Sequence, residues 1–268
     1  MRVRHSKEAL HGQPPENAFI AYDEDECPVG ACSIAAQYKP VLYPAQPHRL
    51  YIRTEGALSA LDTLLGAATA RSLMIMREQG IDHARIFTSC APEDEQKMES
   101  LKALGFEDSD ALLRLVRVLR PGPAGIPVPR GCTVVMDGLE DETERRYFLD
   151  RFNQVMGQAR DDSFLDNLKA RGRVMRLLMV DSQGLVGELL SQERDGAARV
   201  LYLFTENRWR GRKVASHLME AARLQWMSRG VERSVMDLCR AQEGAMRAAA
   251  YCGYRAEQTL VKFPNITL

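Results

Sequence analysis

The residue types best suited to holding an anion are concentrated in residues 205–216, TENRWRGRKVAS. Arg208, Arg210, Arg212 and Lys213 place four cations within six residues, and Gly211 lets the backbone turn and approach a ligand closely. The segment follows an apolar run and opens an amphipathic one, so its N–H groups gather at the positive end of a helix dipole. Phosphate or pyrophosphate binding is the chemistry that suits such a turn. A solvated basic loop at a helix start has the same composition, so the neighbouring elements must decide. Two carboxylates stand out in apolar surroundings: Glu188 among Leu185, Val186, Leu189 and Leu190, and Asp237 within residues 233–238. A strand edge facing water would place them there equally well.

The elements around residues 205–216 read as a mixed α/β domain. Residues 141–156 and 162–170 have helical spacing with acidic starts. Residues 174–180 form a strand, 181–184 a turn, and 185–190 the returning arm of a hairpin. Residues 199–204 are a further strand. Val214, Ala215, Leu218, Met219, Ala222 and Trp226 make the apolar stripe of a long helix that stops at Gly230. Strand 233–238, helix 243–251 and strand 258–263 complete the half.

The first half repeats that order: hairpin 18–22 and 29–36, strand 49–53, helix 58–79 stopping at Gly80, strand 84–88, helix 93–104 and strand 112–118. Gly80 precedes Gly230 by 150 positions, Gly105 with Phe106 precedes Gly253 with Tyr254 by 148, and Val29 with Gly30 precedes Val186 with Gly187 by 157, a difference that a few loop residues explain. A common displacement of whole elements points to an internal duplication. The first copy lacks the two opening helices. Between the copies, residues 119–131 carry four prolines and three glycines and read as a linker. The expected organisation is a degenerate domain at 1–120, a Pro/Gly-rich linker at 121–131 and a ligand-binding domain at 132–268.

The stretch 210–215 resembles the acyl-CoA motif Q/R-x-x-G-x-G/A of the GNAT acyltransferase superfamily. Arg210 takes the first position, Ala215 the last, Gly211 the extra glycine many members carry, and Lys213 departs from the usual middle glycine. Residues 248–255, AAAYCGYR, resemble the second signature, a helix ending in Gly-Phe before a strand. The resemblance covers both halves and implies two tandem GNAT-like domains, each a mixed, largely antiparallel twisted sheet flanked by helices (α/β, or α+β by some schemes). The tandem arrangement is similar to that of mycothiol synthase. It implies acetyl-CoA, or another acyl-CoA, as cosubstrate. Its pantetheine arm would bond to Leu203, Phe204 and Thr205, and its pyrophosphate would sit on the amides of Arg210, Gly211, Arg212, Lys213, Val214, Ala215 and Ser216. An acceptor amine, small or peptidic, would attack the thioester directly, with a general base and a general acid moving the protons. Tyr251 and Tyr202 are the candidate acids, and Glu188 and Asp237 the candidate bases. Many members carry the acid tyrosine where this chain has Ala249, so Tyr251 is rotated along the helix. His217, in the first turn of the long helix, reads as an exposed or capping residue.

Displacing the motif by 150 sets Ala60 opposite Arg210, Leu61 opposite Gly211 and Leu65 opposite Ala215, and residues 56–66 contain no Lys or Arg. The first copy is therefore expected to have a structural role. Lys plus Arg and Asp plus Glu each total 36, which gives no electrostatic case for nucleic acid or an anionic membrane. The N-terminus lacks a secretory apolar region and no apolar run reaches membrane-spanning length. The six cysteines show no paired spacing, and neither they nor the five histidines have metal-ligand spacing. These features favour a cytoplasmic protein with reduced thiols and no metal. An acyl-CoA-dependent N-acyltransferase is the leading reading. A catalytically silent acyl-CoA-binding or regulatory protein, and a protein-interaction scaffold, stay open beside it, as does the oligomeric state.

Overall fold

The computed structural model describes residues 1–122 and 125–268; the part of the expected linker at 123–124 lies outside the described residues. The chain folds into two compact units with boundaries that differ from consecutive halves. One comprises Met1–Leu112 with Thr259–Leu268, and the other Leu113–Gln258.

In the first unit, β1 (Arg2–His5), β2 (Ala18–Tyr22), β3 (Pro28–Tyr38) and β4 (His48–Gly56) pair antiparallel in order. Helix α1 (Leu61–Gln79) crosses to β5 (Arg85–Thr88), which pairs parallel with β4. Gly80 ends α1 in the left-handed conformation expected of a helix-terminating glycine. Helix α2 (Glu95–Ala103) is capped by Asp94, whose carboxylate accepts from the Lys97 N–H. Alternate residues of β2, β3, β4 and β5, including Phe19, Ile34, Ile52 and Ile86, meet the stripe Leu61, Leu64, Leu65, Ala68 and Ile75 of α1 in one core.

The chain passes into the second unit within β6 (Ala111–Val118). There follow β7 (Thr133–Asp137), α3 (Glu142–Met156), α4 (Asp162–Arg171), β8 (Val174–Asp181), β9 (Gly184–Arg194), β10 (Ala197–Thr205), α5 (Val214–Met227), β11 (Arg233–Cys239), α6 (Glu243–Tyr251) and β12 (Arg255–Lys262). The sheet order is β12-β6-β11-β10-β9-β8-β7. Asp141 and Asp161 cap α3 and α4, as their acidic starts suggest. Leu189, Met236, Leu218, Met219, Ala222 and Trp226 lie in the buried interior, where the Trp226 indole donates to Ser191 Oγ at 3.0 Å.

The structure corrects three sequence expectations. Strands β1 and β7 were not anticipated. Strand β6 does not complete the sheet of its own half: it lies between β12 and β11, while the last strand, β13 (Asn265–Thr267), pairs antiparallel with β5 in the first unit. The displacement of 150 that set Ala60 opposite Arg210 also fails at the start of the long helices. In the first unit a Cβ on Gly30 would press on Ala60 and Leu64; in the second, a Cβ on Gly187 would press on Val214 and Leu218. Ala60 is thus the counterpart of Val214, not of Arg210.

Candidate acyl-CoA site

Strand β10 is built to open on one side. Its antiparallel register with β9 runs the full length, from Ala197↔Arg194 to Thr205↔Gly187, with an irregularity between Val200 and Tyr202. Its parallel register with β11 runs only from Ala197↔Arg233 to Val200↔Met236, although β10 continues to Thr205 and β11 to Cys239. The two strands part at the bulge, because one extra residue bends the bulged strand and breaks its pairing. Leu203, Phe204 and Thr205 keep their β9 neighbours and present a strand edge towards the gap.

The basic loop closes the open end of that gap. The Glu206 N–H donates to Val186 O at 2.9 Å, a 3-10 turn spans Asn207–Trp209, and the chain reaches α5 through two left-handed residues, Gly211 at φ 75° and Lys213 at φ 63°. The second explains why the motif usually has glycine at the position of Lys213, since a side chain there costs about 1 kcal/mol. The first helical bond of α5 is His217 N–H to Lys213 O at 2.9 Å. The N–H groups of Val214, Ala215 and Ser216 therefore fall in the turn where a helix has no acceptors of its own, and no side chain caps it. Gly187 lets this helix start lie directly on β9: a Cβ there would come within 2.6 Å of Val214 Cγ1. Of the four cations, Arg208 is tied to Gln183 and lies 3.6 Å from Asp181, and Arg212 stacks over Trp209. Lys213 Nζ lies 3.4 Å from the Tyr251 hydroxyl.

The four candidate acid–base residues are placed differently. Tyr251 is 60% exposed and its hydroxyl meets Lys213 in the basic loop, while Ala249 is fully buried. Tyr202 is buried between Phe148 and Phe152 of α3 and stacks on Phe204; its hydroxyl makes no hydrogen bond of normal geometry, with the Arg151 guanidinium its charged neighbour on the lowering side. Burial, followed by the neighbouring Glu188 charge, raises the Tyr202 pKa. Glu188 is fully buried on the interior strand β9, not at an edge. Its two oxygens accept from Arg176 Nε at 2.5 Å and Arg151 Nε at 2.8 Å, and Arg176 also reaches Asp137 and Glu144. Asp237 forms a two-point pair with Arg114 of β6, at 3.0 and 3.1 Å. His217 is held by Ile126 O, 2.5 Å from Nδ1.

Sequence reasoning missed the arginines. Arg176 interrupts the apolar run of β8 as Glu188 interrupts that of β9, and this matched pair of interruptions was the available signal. Burial raises the thiol pKa of Cys252 and Cys132, leaving them protonated at neutral pH. Among the described residues, no group of three or more His, Cys, Asp or Glu could hold a metal ion, and no helix is long and apolar enough to cross a membrane.

No protein-family model and no curated protein matches this chain. Solved structures do. A GCN5-related N-acetyltransferase from Sphaerobacter thermophilus superposes with a TM-score of 0.53 at 14% identity, covering 95% of this chain and 82% of that one. A tandem GNAT protein from the clavulanic acid biosynthesis pathway gives 0.47 at 16% identity, covering 94% and 82%. The superposition on the Sphaerobacter thermophilus protein runs over nearly the whole chain: this protein has the fold of that GCN5-related N-acetyltransferase, built here from two compact units.

Proposed function

We propose that the chain is an acyl-CoA-dependent N-acyltransferase with its site in the second unit, using acetyl-CoA and an amine acceptor. The observation that carries this reading is the coincidence of the β10–β11 gap with an uncapped, cation-rich helix start at its open end. The pyrophosphate fits on the amides of 210–216, and the arm runs back along Leu203–Thr205 for about 3.3 Å per residue towards the bulge. The amine nitrogen bonds to the thioester carbonyl carbon, the C–S bond breaks, the amine gives up a proton and the thiolate takes one. Holding two substrates in line contributes up to about 7–11 kcal/mol in well-oriented cases. Glu188 and Asp237 are both held by guanidinium groups, so their role in this reading is to set the shape and charge of the β-sheet face towards α3 and α4.

A silent acyl-CoA-binding protein is the second reading, favoured by Tyr251 turning to Lys213 and by the paired state of both carboxylates. Calorimetry with acetyl-CoA, followed by thiol release with an amine panel, tests both. Binding and turnover support the transferase, binding without turnover supports the silent protein, and no binding sinks both.

A further inference from the structure

Arg199 stands on β10 immediately before the irregularity where the strands part. Its register neighbours are Gln192 on β9 and Val235 on β11, and neither is acidic. The Gln192 side chain is occupied, donating to Leu168 O of α4, which fixes this as the face of the sheet turned towards α4. Strand alternation from Val235 puts Asp237 and Arg233 on the same face. Every other arginine found there or reaching it from α3 or β8 has a carboxylate. Arg114 has Asp237; Arg151 has Glu188; Arg176 has Asp137, Glu144 and Glu188; Arg233 has Glu257. Arg199 has none among the described residues, and its Nε is a buried donor with no acceptor. A buried donor left unpaired is costly enough that an absent partner is the first explanation to seek.

We propose that the acceptor is an amine that carries a carboxylate, and that Arg199 determines this specificity by pairing with it; the proposal rests on the acyl-transfer reading of the same strands. An acyl group on an arm running from the basic loop along β10 ends at the bulge, so the amine that attacks it arrives beside Arg199. A guanidinium with its Nε inside offers a side-on pair of donors, which matches the two oxygens of a carboxylate. One guanidinium without a carboxylate on this face, among the described residues, also sets the charge. A phosphate carries about −1.5 to −2 at neutral pH and would be left half-compensated, whereas a carboxylate is matched one to one.

The test uses the full chain and paired amines: lysine and cadaverine, arginine and agmatine, tyrosine and tyramine, with phosphoethanolamine against ethanolamine. The carboxylated member of each pair should show kcat/KM about ten- to hundredfold higher, the range of one lost charge-assisted contact. In Arg199→Gln that preference should vanish while acetyl-CoA affinity holds. In parallel, the Nε–Hε resonance of Arg199, identified by its loss in Arg199→Gln, should shift when the CoA-loaded protein is titrated with a carboxylated amine and not with its decarboxylated partner. Equal turnover of both members, a preference that survives Arg199→Gln, a stronger preference for phosphoethanolamine, or an unmoved resonance would each overturn the proposal. If no amine turns over, the resonance alone decides. Absence of acetyl-CoA binding removes the acyl-transfer reading itself, and this proposal with it.

Discussion

Glu188→Gln separates a structural carboxylate from a catalytic one. Gln keeps the shape, but one acceptor oxygen becomes an NH2 donor facing a guanidinium donor, either Arg176 Nε or Arg151 Nε. Removing one partner of a buried ion pair costs about 3–5 kcal/mol. Arg176 is almost wholly buried and retains Asp137 and Glu144, so the loss should fall near the lower end of that range. For a chain of this size, about 3 kcal/mol lowers the melting temperature by roughly 6–12 °C. Ligand-free thermal melts of parent and variant give this shift directly, and activity measured well below the variant's melt gives the catalytic effect. The reasoning fails if the variant melts like the parent while turnover collapses. That outcome would make Glu188 a base whose arginine contacts loosen in the working state.

Gly211→Glu should nearly abolish acetyl-CoA binding by calorimetry. Its added Cβ meets no protein atom, so its cost to the ligand-free fold is the left-handed backbone alone, about 1 kcal/mol. Arg210→Ala should be milder, weakening binding about ten- to hundredfold, because the helix amides remain. The same titrations on the parent should give one acetyl-CoA per chain; two equivalent sites would contradict a degenerate first copy. Tyr202→Phe removes a buried hydroxyl that makes no hydrogen bond of normal geometry, so its melting temperature should match or exceed that of the parent. A loss beyond about 1 kcal/mol would reveal a hydrogen bond to that hydroxyl.

The hairpins, the long helices and their glycine stops were legible because each is set by local periodicity and by residues such as Gly80 that tolerate a left-handed backbone. The basic loop was legible for the same reason: its cations and glycine are consecutive. Strand partners were not. The alternation of β6 says which of its faces is apolar, but nothing within residues 111–118 says that β11 and β12 are its neighbours. Glu188 and Asp237 were visible as oddities in apolar strands, yet their meaning depended on Arg151, 37 residues before Glu188, and Arg114, 123 residues before Asp237. A charge in a strand reads as a candidate base until its counter-charge is found.

In the proposed reading phosphate binding falls to the second copy, and the two copies differ in the chain length that would make this so. In the first unit the Ala57 N–H donates to Val29 O at 2.8 Å, as Glu206 N–H does to Val186 O in the second. From these matched points the chain reaches the matched helix residues Ala60 and Val214 by very different routes. Two residues intervene in the first unit and seven in the second. The extra length is the basic loop itself, including both left-handed residues and all four cations. In the first unit the short route is also packed shut: a Cβ on Gly56 would fall 2.4 Å from Gly30 Cα and 2.5 Å from Val29 O. The deficiency of the first copy is therefore geometric before it is electrostatic. Adding arginines to residues 56–60 would supply charge without creating the outward-facing amides that a phosphate needs. Only a lengthened connection would let the backbone leave β4 and return to α1 from outside.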